Sequence, residues 1–157
     1  MTETPTEAFQ LTVDVVCACD GKLVFVERGS EPHKGKLALP GGYVDAGETA
    51  IAAAVRELNE ETGIVVREAD LELVGFYDAP DRDPRGRFVS VAFAVTVPAN
   101  TRATAGSDAA AVQWQTPSPE LRLAFDHDQI VADATKKLGL PAPRRRSRVR
   151  TNLGRRD

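Results

Sequence analysis

Glu57, Glu60 and Glu61 are the residues of this sequence best suited to chemistry; they lie in the run Arg56-Glu57-Leu58-Asn59-Glu60-Glu61-Thr62-Gly63-Ile64. On a helix advancing about 100° per residue, the three carboxylates fall within an arc of about 100°. Like charges at i, i+3 and i+4 repel one another and weaken the helix that carries them unless something neutralises them. A hard divalent cation with oxygen ligands does so. Mg2+ or Mn2+ suits the site, because the sequence has no Cys or His cluster for zinc. Arg56 lies four residues before Glu60 and eight after Glu48, within reach of both carboxylates, and so can hold them in place. Taken alone, Glu-Leu-Asn-Glu-Glu reads as an ordinary solvated helix face.

The carboxylates need a rigid support, and the apolar periodicity supplies one. Ile51, Ala54, Val55 and Leu58 recur at i, i+3, i+4 and i+7, which predicts a helix over Glu48–Thr62 with one face against a core. Gly63 ends it as a C′ glycine does. Ahead of it, Phe9–Cys19 and Lys22–Glu27 read as a hairpin about the turn Asp20-Gly21. Leu37–Val44 reads as a strand kinked at Pro40-Gly41-Gly42. Beyond it, Ile64–Val66, Leu71–Tyr77, Phe88–Val97 and Ala110–Gln115 read as strands, and Asp126–Leu138 as a second helix followed by Gly139. This order predicts an α/β fold, a mixed β-sheet sandwiched between helices.

The length of 157 residues suits one domain, expected over residues 1–140. Residues 144–157 hold seven arginines and one aspartate, which leaves residues 1–143 with 13 basic and 22 acidic side chains, a net charge of −9. An acidic body that handles an anionic substrate needs metal ions or local arginines to hold it. Residues 141–157 read as an Arg-rich disordered tail, with nucleic-acid contact the lesser reading. No apolar run approaches the roughly 20 residues of a membrane span, and residues 1–10 lack the pattern of a secretory signal. The expectation is a cytoplasmic protein without a membrane partner. Cys17 and Cys19 read as small buried residues, since no further cysteine completes a metal site.

The spacing from Gly42 onward resembles the Nudix box: Gly, five residues, Glu, seven residues, Arg-Glu, an aliphatic, any residue, Glu-Glu, any residue, Gly, an aliphatic. Gly42, Glu48, Arg56, Glu57, Leu58, Glu60, Glu61, Gly63 and Ile64 fill every position. Chance would produce this roughly once in a billion placements. The resemblance implies the Nudix fold and hydrolysis of a nucleoside diphosphate linked to another group. It implies Glu57, Glu60 and Glu61 as metal ligands, the Gly41 carbonyl as a further ligand, and Glu48 and Arg56 as groups that orient them. The general base varies among Nudix enzymes: a box glutamate, or an acid on an outside loop. Asp108, in the loop Thr104–Asp108, is a candidate for the second case, with the cap of a turn as the plainer alternative.

Outside the box, Pro80 lies sixteen residues past Ile64, as in ADP-ribose pyrophosphatases. Leu11–Asp14, Asp81–Val91 and Leu123–His127 are similar to segments of those enzymes and of the related Nudix regulators. Arg28, Arg82, Arg85 and Arg87 are candidates to bind phosphate through their forked donors, although Asp81–Arg87 also reads as a charged turn with internal ion pairs. His127 reads as structural or solvated. Leu37 stands where many relatives carry Trp, which bears on packing and substrate fit. The resemblance implies ADP-ribose, cleaved to AMP and ribose 5-phosphate, and a homodimer. A nucleoside triphosphate or another nucleotide sugar is the alternative substrate. An ADP-ribose-sensing regulator is the alternative of another class, against which stand the intact box and the roughly 20 residues after the last predicted helix.

Overall fold

Strand β1 (Gln10–Cys19) is the axis of the molecule, and its sequence QLTVDVVCAC shows why. Small apolar side chains occupy both of its faces, so it suits a strand covered on both sides. In the computed structural model, which describes residues 2–106 and 109–141, Val13, Val15, Cys17 and Cys19 enter one core and Val16 and Ala18 another. The Asp20-Gly21 turn, with both residues at positive φ (51° and 74°), reverses the chain into β2 (Lys22–Arg28) as a primed hairpin turn requires. Both cysteines are free and buried, and burial pushes the Cys17 thiol up to about 12, so it packs as a small inert side chain.

Among the described residues the sheet has seven strands. β6 (Phe88–Thr96) runs parallel to β1 over nine residue pairs, and β5 (Glu72–Tyr77) closes that side antiparallel to β6. On its other side β1 has two partners. Its C-terminal end pairs with β2, while Thr12, Val13 and Asp14 pair with β4 (Gly41–Tyr43). β2 parts from β1 after the hairpin and takes β3 (Leu37–Ala38) and β7 (Ala109–Gln115) as neighbours. The kinked strand expected over 37–44 is thus two short strands broken at Leu39 and Pro40. The parting of β1 and β2 opens a cleft, and the β3–β4 turn forms its floor.

Helix α1 (Ala50–Thr62) covers one face of the sheet and α2 (His127–Lys137) the other, so the mixed sheet lies between helices. Thr49 caps α1 by accepting from the Ala52 N–H at 3.2 Å. Gly63, at φ 72°, returns its N–H to the Asn59 carbonyl. Ala53, Ala54, Leu58 and Thr62 are the buried residues of α1, while Ile51 and Val55 are only half-buried. The apolar face is therefore turned toward Ala53, because Arg56 and Glu57 are themselves partly enclosed. Residues 64–66, expected as strand or strand-like, form no paired strand: Ile64 and Val66 pack into the core under α1 and Val65 is 80% exposed, but among the described residues no strand pairs with them. Among the described residues, no helix is long and apolar enough to cross a membrane.

Candidate functional site

α1 projects its acidic face toward β4, and Arg56 organises that face. Its Nε and Nη2 donate to the two oxygens of Glu48, each at 2.8 Å. Nη1 donates to Glu57 Oε1 at 2.9 Å and to Glu60 Oε2 at 3.2 Å. Nη2 also donates to the Tyr43 carbonyl at 3.0 Å and lies 3.5 Å from Asp45 Oδ2. One guanidinium thus serves four carboxylates and ties the helix to β4. The bidentate pair holds Glu48 at about 2, far below the usual carboxylate range, and pushes the Arg56 pKa up. Burial raises the Glu57 pKa despite Arg56 beside it, with Glu60 adding repulsion.

The glycines of β4 make room for these carboxylates. A methyl group on Gly42 would sit 2.5 Å from Glu57 Oε1 and 2.6 Å from its Cδ. The Gly41 N–H donates to Glu61 Oε2 at 3.1 Å. Glu61 and both glycines line the cleft, whereas Glu60 stands at the rim with 56% of its side chain exposed. Asp45, Glu48, Glu57 and Glu60 therefore share one embedded guanidinium, with Glu61 beside them on the cleft wall. Among the described residues, no three His, Cys, Asp or Glu side chains are gathered into a closed metal cluster, since mutual repulsion and Arg56 space them along the helix. The donor set is all oxygen and carries excess negative charge, which fits a hard divalent cation rather than zinc.

The opposite wall of the cleft is cationic and aromatic. The Arg28 guanidinium lies 4.9 Å from the Phe125 ring centre, and Arg85 lies 4.8 Å from Phe88 and 5.5 Å from Phe125. Arg28 donates from Nε to the Pro32 carbonyl, and burial together with the neighbouring Arg85 lowers its pKa. Arg85 is held by both oxygens of Asp83, the internal ion pair that the turn composition suggested, yet its side chain remains 42% exposed. Arg82 differs. Its two-bond contact with Asp126, at 2.9 and 2.6 Å, is like that of Arg85 with Asp83, but its side chain is only 5% exposed. Arg87 faces away, donating to the Asp78 carbonyl and pairing with Glu7 at 3.8 Å. Of the four arginines, Arg28 and Arg85 are the two placed to meet an anion in this cleft.

Beneath the cleft lies a polar layer that the sequence reading did not assemble. Asp14, on β1, accepts from the Ser90 hydroxyl of β6, and His127 Nε2 lies 3.3 Å from Asp14 Oδ1. All three side chains are buried. Burial raises the Asp14 pKa and lowers that of His127. The similarity of Leu11–Asp14 and Leu123–His127 to family segments was the available signal, but it carried no roles. Asp108 lies outside the described residues. Its loop does reach α1: the Thr104 and Gly106 N–H groups donate to the Thr62 and Glu61 carbonyls at 2.8 and 3.1 Å. A side chain at Gly106 would strike the Glu60 carbonyl, so only glycine permits this docking.

An α/β sandwich with an oxygen-donor helix face opposite two arginines suits a phosphorylated ligand held together with a cation. Comparison with known proteins is specific about the class. The NUDIX domain model matches residues 8–134, and the chain belongs to the NUDIX family. It is 40% identical over 123 residues to an ADP-ribose pyrophosphatase of Methanocaldococcus jannaschii, covering 78% of this chain and 71% of that protein. The fold matches the NUDIX domain of Shewanella oneidensis NrtR, solved in complex with ADP ribose, with a TM-score of 0.76 at 28% identity over 85% of this chain and 90% of that one. It also matches a bifunctional NMN adenylyltransferase/ADP ribose pyrophosphatase of Francisella tularensis, solved with AMP and a Mn ion, with a TM-score of 0.73 at 28% identity over 85% of this chain and 43% of that one.

The Gly42 cradle yields a direct test. In Gly42→Ala the added methyl meets the end of a flexible side chain, so the fold survives while the Glu57 carboxylate is pushed off Arg56. Hydrolysis of a nucleoside diphosphate derivative with Mg2+ should fall by at least about tenfold, with the thermal midpoint within a few degrees of wild type. Full turnover in that variant would show that the placement of Glu57 is dispensable.

Proposed function

We propose that the chain hydrolyses the pyrophosphate linkage of a nucleoside diphosphate derivative, and that its substrate is ADP-ribose, cleaved to AMP and ribose 5-phosphate. One observation carries this reading: a crowded carboxylate face on α1 stands across a cleft from Arg28 and Arg85, in a chain 40% identical to an ADP-ribose pyrophosphatase. Glu57, Glu60, Glu61 and the Gly41 carbonyl would hold Mg2+ or Mn2+. When bound, such a cation neutralises phosphoryl oxygens and lowers the pKa of water. Arg28 and Arg85 bind the phosphates through the N–H groups that Pro32 and Asp83 leave over, the Arg85 side chain being 42% exposed. Arg56 and Glu48 keep the ligand carboxylates in one geometry through the substrate's arrival.

The reaction breaks one P–O bond of the anhydride and adds water across it. A carboxylate must take the proton of the attacking water. We assign that role to Asp108, because the glycine-docked loop that leads to it is fixed on the last turn of α1 beside Glu60 and Glu61. A carboxylate bound to metal is a weaker base, which disfavours the box glutamates for this task. Asp108→Asn should lower kcat by about 100-fold or more. A loss under about threefold would return the role to Glu57 or another box glutamate.

The substrate assignment is tested with a panel assayed in Mg2+: ADP-ribose, other nucleotide sugars and nucleoside triphosphates. ADP-ribose should give the highest kcat/KM. A higher value for a nucleoside triphosphate or another nucleotide sugar overturns the substrate but leaves the pyrophosphohydrolase. Tight ADP-ribose binding without turnover would instead indicate a sensor.

A further inference from the structure

The turn between β3 and β4 delivers Gly41 to the carboxylate face, and few groups hold it. Pro40 has no N–H, so the donors at its centre are those of Leu39 and Gly41. The Gly41 N–H goes to Glu61 Oε2 on α1. The Pro40 carbonyl accepts from the Val15 N–H of β1 at 2.9 Å. The Leu39 N–H, on a residue only 2% exposed, goes to Nδ1 of His127 at 3.0 Å, 88 residues away at the start of α2. The turn therefore has three anchors: one on the sheet, one on the box helix and one on the second helix.

The third anchor depends on which imidazole nitrogen carries the proton. Nδ1 accepts from Leu39, so the neutral ring carries its proton on Nε2. Nε2 lies 3.3 Å from Asp14 Oδ1. Asp14 is held on its other oxygen by Ser90, with Arg82 at 4.0 Å and Asp126 behind Arg82. The same Asp14 Oδ1 would lie 2.7 Å from a methyl placed on Gly41, so the carboxylate that orients His127 also abuts the Gly41 backbone. A buried layer that only filled space would not require this division of labour between the two ring nitrogens.

We infer that His127 is a positioning residue: Asp14 fixes its tautomer, and its Nδ1 holds the Leu39 N–H so that the turn presents Gly41 to the carboxylates of α1. The inference rests on the proposed role of that face. It makes α2, which contributes no side chain to the carboxylate face, an anchor of the site's geometry.

Two substitutions separate the two nitrogens. His127→Asn keeps an acceptor near the place of Nδ1. His127→Gln keeps a donor toward Asp14 but leaves the Leu39 N–H without its partner. Both disturb the buried layer, so both should lower the thermal midpoint to a similar degree. Hydrogen exchange at the Leu39 amide, read by NMR, should stay within about threefold of wild type in the Asn variant and quicken by about 100-fold or more in the Gln variant. Mn2+ affinity and kcat should follow the same split, with kcat lower by about tenfold or more only in the Gln variant and KM little changed. Equal losses in both variants would mean a structural role alone and would overturn the inference. So would rapid Leu39 exchange in the Gln variant with kcat and Mn2+ affinity intact. If the wild-type protein neither binds Mn2+ nor turns over, the proposed function fails, and a positioning role for His127 falls with it. The exchange data then still decide whether His127 holds the turn.

Discussion

The contact of Arg56 with four carboxylates is the interaction on which the rest of the site depends. Without it, Glu57 and Glu60 on α1, and Glu48 just before its N-cap, would repel one another. With it, they are gathered at fixed spacing but remain under-neutralised, since one guanidinium cannot match the charge of the four carboxylates it serves. The result is a face that is rigid and still attractive to a cation. Rigidity comes from beneath: Ala53, Ala54 and Leu58 are fully buried against the sheet, so α1 cannot rotate its acidic side away without exposing apolar surface. Strand β4 completes the arrangement from above, through the Tyr43 carbonyl on Arg56 and the bare backbone of Gly42 against Glu57.

The sheet explains why a cleft exists beside this helix. β1 is hydrogen-bonded along its whole length on the β6 side, but on the other side it changes partner from β4 to β2. The space between β1 and β2 is where the Pro40–Gly41 turn enters and where Arg28, at the end of β2, meets Phe125 and Arg85. Phe125 adopts φ 53°, a conformation that an aromatic residue rarely takes, next to the ring contacts it makes with Arg28, Arg85 and His33. The buried His127–Asp14–Ser90 layer lies under that point and links β1, β6 and α2 to the turn.

What could be read from the sequence was what is local. The 3.6-residue period placed α1, Gly63 marked its end, and the glutamate spacing put the charges on one face; the start, expected at Glu48, lies two residues later behind the Thr49 cap. Asp20-Gly21 fixed the first hairpin through its two positive φ values. What could not be read depends on partners far along the chain. Arg82 and Arg85 each make two bonds to an aspartate, but Arg85 pairs locally with Asp83 and stays exposed, whereas Arg82 pairs with Asp126, 44 residues on, and is buried. Arg87 pairs back toward Glu7. Residues 64–66 alternate as a strand does, but no neighbour runs beside them, and alternation alone cannot reveal that. His127 looked like a helix-start residue because its role depends on the Leu39 amide, 88 residues earlier.

The central claim is that the under-neutralised face of α1 binds a divalent cation through Glu57 and Glu61. A titration of Mn2+ into the protein, followed by loss of the free-ion EPR signal, tests it most directly in wild type, Glu57→Gln and Glu61→Gln. Each substitution removes one like charge from the face, so the metal-free variants should be no less stable than wild type. Their Mn2+ affinity should nevertheless fall by about tenfold or more. Wild-type affinity in both variants would contradict the account.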